Sequence, residues 1–576
     1  MLLSKEQKRA FDEIESSVNP VFITGSAGTG KSHLLKYLRQ NSKFKANTIV
    51  AAFMGIAALN VDGVTLHKFA LKYQKSGLFF PTENEFQRFS RKKLEVIKNT
   101  EQLIIDEVSL VRADYIDAID RVFRFARKSD QPFGGVKMVM FGDLFQLPPF
   151  VKNFVFPEIT FSHIKRGLKF LDSYEIAEKP QFFYAHVFTL APIDIIELRE
   201  VHRQAKGPFV EALNRLRQGD VTRSDLETLN SKFSAKQTDS HVLRLMSLKE
   251  NVEKHNREQL LALDGLGPES FRALIRYEDL DEISDPEILA IPAPLVLEIK
   301  VGAPVMFVRN DPDGRWANGT FGTVVGWTTN EINVAIDGRK VAVERSEWPI
   351  ESPMVVKGEN GRFMIGYETL GSIRQFPLTL AWAITIHKSQ GQTLSQVVLD
   401  FSQTFEAGMA YVAFSRVRSL EGLETLTHFT KKDILPHSER IFRFMAHSPF
   451  QVLISWDQLP KHMHLLEKFK EDLSIFLDET VNPEALIELF ANDQPEFKNL
   501  WKDQEKFNHQ GRMAYLMTEY GMTALAYVLN MYLRFPNQAL ALTARALYGN
   551  KGTQVKPKQY PDSYLFACRD WTLFKH

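Results

Sequence analysis

Short apolar runs recur through the first part of the chain, and each ends on a small or acidic residue. Val21, Phe22 and Ile23 precede Gly25, NTIVAAF covers Asn47 to Phe53, QLIIDEVSLV covers Gln102 to Val111, and KMVMFGDLFQLPP covers Lys137 to Pro149. Continuous rather than alternating apolarity predicts strands buried on both faces, as in a parallel sheet with helices either side. Helical periods lie between them. LSKEQKRAFDEI places Phe11 and Ile14 on one face with Ser4 as N-cap, and Leu34, Leu35 and Leu38 form a stripe after Gly30. Gly55 to Asn60 reads as a helix start, and Leu71 to Lys98, with Phe79, Phe80, Pro81 and the basic run Arg91, Lys92 and Lys93, reads as an inserted excursion from the sheet. From Gly302 to Gln375 the period changes to short alternating strands, TVVGW, INVAI, KVAVERS and FMIGYETL, separated by turns such as DGR and GENGR. The acid-rich stretch Asp264 to Leu295 leads into them, and the tail Ser448 to His576 is mostly helical with an aromatic, mildly basic end.

The strand ends carry the chemistry. Gly25, Gly30, Lys31 and Ser32 stand at the spacing of a phosphate loop, with Ser26, Ala27, Gly28 and Thr29 inside it. Wrapping phosphate in backbone N–H groups requires residues without side chains, Lys31 adds a point charge, and the Ser32 hydroxyl is a ligand for Mg²⁺ at a helix N-terminus. The next long strand delivers Asp106 and Glu107 together. Asp106 can hold Mg²⁺ and Glu107 can orient and deprotonate water, whereas two unpaired carboxylates at a buried strand end have little structural use. Asp143 and Gln146 leave a third strand toward the same crevice, with Gln146 as a candidate γ-phosphate sensor. Gln7, just ahead of the loop, has an amide able to read an adenine edge or simply to be solvated. Thr65, His67 and Lys68, with Phe69, combine hydroxyl, imidazole, charge and ring, a mixture suited to a single nucleic-acid strand, although each is also an ordinary helix-start residue. Strand ends converging on one nucleotide predict a RecA-like α/β domain.

Composition narrows the class. At 576 residues the chain exceeds one core, and about four units is the expectation. A net charge of +1 means that any nucleic-acid contact comes from a local groove. The single cysteine, Cys568, excludes an intramolecular disulfide and a cysteine-based zinc cluster. With no apolar run of spanning length and no leader-like N-terminus, a cytoplasmic enzyme that does not enter membranes is expected.

GSAGTGKS, GVTLHKF, LIIDEVSLV and GDLFQLPP resemble the Pif-type helicases, relatives of RecD and Dda in helicase superfamily one. LREVHRQ, GAPVMFVRND with NGTFGTV, LTLAWAITIHKSQGQTL and AYVAFSRVRSLEGL follow in the family's order, so the resemblance spans roughly Leu3 to Gly422. It implies two RecA-like domains in tandem, with ATP and Mg²⁺ as cofactors. It also implies arginine fingers at Arg203 and Arg416, a nucleotide contact at Gly391, and strand contacts at Thr385, His387, Lys388 and Ser389. Where the family carries a Thr, this chain reads AAFMGIAA, so that strand contact is either missing here or replaced by Phe53 stacking on a base. The implied boundaries are 1–193 for the first domain, with 71–98 a candidate strand-separating pin. The second domain takes 194–299 and 376–447, around a small β-barrel at 300–375, and an accessory domain occupies 448–576. Both arginines lie far from Lys31 in sequence, so they reach the phosphates only across a cleft that ATP closes, which makes a motor. Three activities fit. The first is a monomeric DNA helicase moving 5′ to 3′ on single-stranded DNA and at DNA junctions, its polarity implied by the resemblance alone. The second is a nucleic-acid-stimulated ATPase remodelling RNA–DNA hybrids, folded DNA such as G-quadruplexes, or protein–DNA complexes. The third is a GTP-dependent switch, which would need a guanine-reading segment; TKKD, Thr430 to Asp433, has that form but stands after the second-domain arginine.

Overall fold

The computed structural model describes residues 2–53, 57–58, 61–66, 89–149, 180–202, 207–234, 242–277, 291–358, 362–401 and 404–446. Beyond these it describes Lys468, Phe469, Glu471, Asp472, Tyr532 and Leu540. The chain divides into two compact units, Met1–Leu435 and Pro436–His576. The second unit therefore starts ahead of the expected boundary at 447/448, with the helix Glu439–Ala446 inside it, its Ile441, Phe442 and Met445 buried. Within that unit Phe469 packs edge-on against Tyr532, whose hydroxyl donates to Asp472.

The first unit opens with helix α1, Lys5–Ser16, closed by the expected Ser4 cap: the Ser4 hydroxyl accepts from Gln7 N while Gln7 Oε1 accepts from Ser4 N. Six strands follow: β1 Val21–Gly25, β2 Thr48–Ala52, β3 Val64–Thr65, β4 Gln102–Asp106, β5 Lys137–Phe141 and β6 Asp194–Leu198. They form one sheet in the order β3-β2-β4-β5-β1-β6, and all the pairs run parallel. Helix α2, Lys31–Asn41, buries Leu34, Leu35 and Leu38 against Ala10 and Ile14 of α1 and Val21 and Ile23 of β1. Each such leucine contributes about 1.5–3 kcal/mol by leaving water. Because the strands are parallel, their carboxyl ends share one edge, and the loops that leave β1 and β4 open on one crevice.

Two boundaries differ from expectation. Asp194–Leu198, assigned to the second domain, is the edge strand β6 of the first sheet, in register with β1 from Val21↔Asp194 to Gly25↔Leu198. Arg91, Lys92 and Lys93, placed in the excursion, open a helix, Arg91–Asn99, capped by Ser90, with Val96 and Ile97 buried. That end of the segment therefore belongs to the helical layer of the domain. Residues 71–88, most of the rest of the excursion, lie outside the described residues.

The second sheet begins at β7, Arg244–Met246. The chain then leaves it for β8 Glu269–Arg272, β9 Leu274–Tyr277, β10 Val296–Ile299, β11 Pro304–Phe307, β12 Phe321–Trp327, β13 Glu331–Ile336, β14 Arg339–Glu344, β15 Ser346–Lys357, β16 Phe363–Gln375 and β17 Leu378–Leu380. It returns with β18 Ala383–Thr385, β19 Val397–Asp400 and β20 Leu423–Thr425, which join β7 in the parallel order β18-β7-β19-β20. The inserted strands form a five-stranded antiparallel sheet, β14-β13-β12-β11-β17, a three-stranded sheet β15-β16-β9, and the pair β10-β8. The insertion thus reaches beyond 300–375 at both ends. Its joint is Gln375, fully buried, whose amide donates to Phe271 O and Pro294 O and accepts from Phe376 N, so that strands distant in sequence satisfy one side chain.

The two parallel domains share an apolar seam. Ala27 of the phosphate loop and Leu147 belong to the same buried cluster as Leu213 and Leu216 of the helix Pro208–Gln218 and Met409 and Ala413 of the helix Met409–Phe414. Catalytic loops of one domain therefore rest on helices of the other.

Candidate active site

The phosphate loop runs from Gly25 into α2, with Gly30 as a left-handed N-cap at φ 82°. A Cβ at Gly30 would run into the Gln7 amide, so glycine is needed for both conformation and space. Gln7 Nε2 donates to Gly30 O at 3.2 Å. Gln7 thus stands beside the loop as expected, but its amide is engaged between the loop and the α1 cap, and reading a base requires exchanging those bonds. Lys31 Nζ donates to Gly25 O at 2.6 Å and Ser26 O at 3.2 Å, and Thr29 Oγ1 donates to Ser26 O. Burial pushes the Lys31 ammonium below its ordinary value, while Asp143, Glu107 and Asp106 pull it back up. His202 N donates to Gly28 O at 2.9 Å, bringing the chain after β6 against the loop. Arg203, the next residue, lies outside the described residues.

Asp106 ends β4, and Glu107 follows it at φ 50°, a left-handed conformation that a side-chain-bearing residue rarely adopts. The turn sends both carboxylates into the crevice, with Glu107 N donating to Asp106 Oδ1 at 3.0 Å. Burial and the neighbouring Glu107 push Asp106 up to about 7, and burial raises Glu107 against the pull of Lys31 and Arg416. A buried carboxylate that resists ionisation is stabilised as an anion by a cation. Asp106 and Ser32 line one cleft and offer a carboxylate and a hydroxyl, hard oxygen donors of the kind Mg²⁺ takes in small number beside substrate phosphates. No group of three or more His, Cys, Asp or Glu side chains with metal-binding geometry occurs among the described residues. A pH dependence follows. The folded-state value of Asp106 lies above its ordinary 3.8, so its contribution to stability is full below that value and is lost as pH rises through about 7. Added Mg²⁺ is therefore expected to raise Tm more at about pH 8 than at about pH 5.5. Equal shifts at both, read by thermal unfolding, would remove Asp106 as the ligand.

The third strand end holds Asp143, buried at 1% exposure, in a bidentate ion pair with Arg217 at 2.8–3.2 Å. Arg217 projects from the second-domain helix Pro208–Gln218, with its guanidinium 4.7 Å from the centre of the Phe145 ring. Burial alone would raise Asp143, but Arg217 and Lys31 hold it below its ordinary value. Gln146, the expected sensor, is buried, and its Nε2 donates to Asp143 Oδ2 at 3.1 Å. Gly408, at φ 78°, caps the helix Met409–Phe414 where a Cβ would meet Gln146 O, letting that helix approach closely. From the same helix the Tyr411 hydroxyl accepts from Ala27 N at 2.8 Å; burial and Asp143 push this phenol up to about 12, so it stays protonated.

Arg416 is 1% exposed. Its Nε donates to Val412 O, its Nη1 to Ser389 O at 2.9 Å and Gln392 O at 3.1 Å, and its Nη2 to Ser415 Oγ. Its charge is felt at Glu107, but the guanidinium is turned to these acceptors, and a finger role needs them exchanged.

A cleft of about 1270 Å³ joins this site to the strand candidates: Ser32, Phe53, Thr65, Asp106, Glu107, His387, Lys388, Gln390 and Gly391 all line it. Phe53 packs edge-on against Tyr115. His387 Nε2 lies 3.2 Å from Glu406 Oε2, and burial lowers Lys388. Thr385 and Ser389, also assigned to the strand, instead face inward at 7% and 0% exposure. The Thr385 hydroxyl accepts from Lys388 N and the Ser389 hydroxyl donates to Ile386 O. They build the turn that presents His387 and Lys388. His67 and Lys68 lie outside the described residues. Sequence reasoning passed over Gln390, Tyr411 and Arg217, although the first two stand inside the segments that carried the resemblance and Arg217 on the helix Pro208–Gln218 that follows LREVHRQ.

A phosphate loop and paired strand-end acids on one parallel sheet, backed by a second parallel sheet that adds an arginine and a shared cleft, define a tandem RecA-like P-loop ATPase. Residues 2–225 match the family described as PIF1-like helicase. The chain is 33% identical over 432 residues to the ATP-dependent DNA helicase Pif1 of Bdellovibrio bacteriovorus, covering 74% of this chain and 88% of that one. It also resembles the structure of Bacteroides sp. Pif1 in complex with ADP-AlF4, with TM-score 0.63 and 38% identity over 76% of this chain and 95% of the other. The Bacteroides Pif1 structure bound to ssDNA matches with TM-score 0.54 and 38% identity over 77% and 96%. The chain belongs to the PIF1-like helicase family.

Proposed function

We propose that this chain is an ATP- and Mg²⁺-dependent DNA helicase that moves 5′ to 3′ along single-stranded DNA and unwinds duplex ahead of it. The observation that carries the reading is the single cleft onto which Ser32, Asp106 and Glu107 open together with His387 and Lys388, so nucleotide and strand residues share one space. The relatives, ATP-dependent DNA helicases and a Pif1 bound to ssDNA, support the same substrate pair. The direction rests on the family resemblance.

In this reading the loop N–H groups and Lys31 hold the phosphates, and Glu107 takes the proton of the attacking water. Ser32 and Asp106 are the residues that would hold Mg²⁺, which supplies charge neutralisation at the phosphates when bound. Gln146, oriented by Asp143, reads the terminal phosphate. Arg416 adds positive charge from the second domain and Arg203 from the chain that follows β6, and the loss of the Arg416 phosphate partner after hydrolysis lets the two domains part. Lys388 and His387 grip the backbone of the strand, and Phe53 and Thr65 grip it from the other domain.

The test is ATP hydrolysis measured together with unwinding of two partial duplexes, one tailed at 5′ and the other at 3′. Strand-stimulated hydrolysis with unwinding from the 5′ tail is the expected result. Unwinding from the 3′ tail alone overturns the direction. Hydrolysis indifferent to DNA overturns the motor.

A further inference from the structure

The segment after β18 carries His387 and Lys388 into the cleft, and two residues further on it touches the catalytic base. Gln390 Nε2 donates to Glu107 Oε2 at 3.1 Å, a contact between the two parallel domains and between residues 283 apart in sequence. The segment is held on both sides of Gln390, since Arg416 Nη1 takes Ser389 O before it and Gln392 O after it. Ser389 further fixes the turn through Ile386 O, and Gly391, at φ 77°, supplies the left-handed residue that reverses the chain. Gln390 is thus a short, braced arm. One end is continuous with His387 and Lys388, which line the cleft, and the other ends on one oxygen of Glu107, itself a cleft residue. Glu107 is itself in a strained left-handed conformation, which the surrounding contacts must hold.

We propose that Gln390 is the positioning residue through which strand engagement at His387 and Lys388 sets the orientation of Glu107, so that DNA stimulation of ATP hydrolysis passes through this one hydrogen bond. The inference rests on the helicase reading above and assigns its coupling. A movement of the turn that grips DNA moves the Gln390 amide, and the amide carries the Glu107 carboxylate with it. The same brace ties the turn to Arg416, so base and arginine answer to one segment.

Gln390→Ala removes the donor, and Gln390→Glu keeps the shape but sets a carboxylate against a carboxylate. In both full-length variants, turnover at saturating oligo-dT is expected to fall about tenfold or more, with KM for ATP and Kd for oligo-dT within about twofold of wild type. Gln390→Glu is expected to be at least as impaired as Gln390→Ala, an order that loss of packing alone would reverse. Wild-type stimulation in both variants overturns the inference. So does a Kd for oligo-dT that rises in step with the loss of turnover, because Gln390 would then be a strand ligand. A wild-type enzyme whose hydrolysis ignores oligo-dT overturns the helicase reading itself, and that failure is visible before any variant is made.

Discussion

Lys31→Ala lowers ATP turnover by about a thousandfold or more while leaving the fold and single-strand affinity in place. Lys31 is the lysine of the phosphate loop, in a site that also gathers Asp106, Glu107 and Asp143. Without it, three carboxylates surround an arriving polyphosphate, so both nucleotide affinity and transition-state stabilisation fall. The fold tolerates the loss because the ammonium's hydrogen bonds go to two carbonyls of its own loop, Gly25 O and Ser26 O, and Asp143 keeps its ion pair with Arg217. Lys31→Arg is expected to fail almost as badly, since a planar fork does not replace a compact ammonium in a loop of this size. Steady-state hydrolysis with saturating oligo-dT, and fluorescence anisotropy of a labelled strand, measure the two effects separately. Turnover within about tenfold of wild type in Lys31→Ala would sink the assignment of the loop.

What was legible in the sequence is the chemistry whose partners are close along the chain. Gly25 to Ser32 is one loop, Asp106 and Glu107 are adjacent, and Ser4 caps a helix through Gln7 in its first turn; in each case spacing alone implies geometry. The contacts that join the domains have no such signature. Ala27 meets Tyr411 across 384 residues, Glu107 meets Gln390 across 283, and Asp143 meets Arg217 across 74. Nothing local distinguishes Arg217 from the exposed arginines of an amphipathic helix. Direction is invisible for another reason. Thr385 and Ser389 have hydroxyls suited to a phosphate backbone, but whether a hydroxyl points to a groove or back into its own turn is decided by φ and ψ over three residues. Similarly, the edge strand β6 falls on the far side of the expected domain boundary because a parallel sheet accepts strands from anywhere in the chain, and only register with β1 assigns it.

The Asp143–Arg217 pair is where stability and catalysis meet. Both side chains are almost fully buried, and Arg217 is raised against the cost of burial by Asp143. Removing one partner leaves a charge in low dielectric. Arg217→Met is therefore expected to destabilise the first unit by about 3–5 kcal/mol, whereas the paired change Asp143→Asn with Arg217→Met costs much less than the sum of the single changes. The sign with pH follows from Asp143, whose folded-state value is depressed: the pair's contribution is present above the ordinary carboxylate value and is lost as pH falls through the folded one. Thermal unfolding of the four proteins at neutral pH completes the double-mutant cycle. Single changes that add without coupling would mean that the pair is a neutral passenger. Turnover adds a second readout. Asp143 also accepts from the Gln146 amide and acts on Lys31, so Asp143→Asn replaces a charge-assisted bond to Gln146 by a neutral one and removes an anion that sustains the charge of Lys31. A charge pair that serves only to glue the domains would leave the turnover of the surviving folded fraction untouched; one that also aligns Gln146 would not.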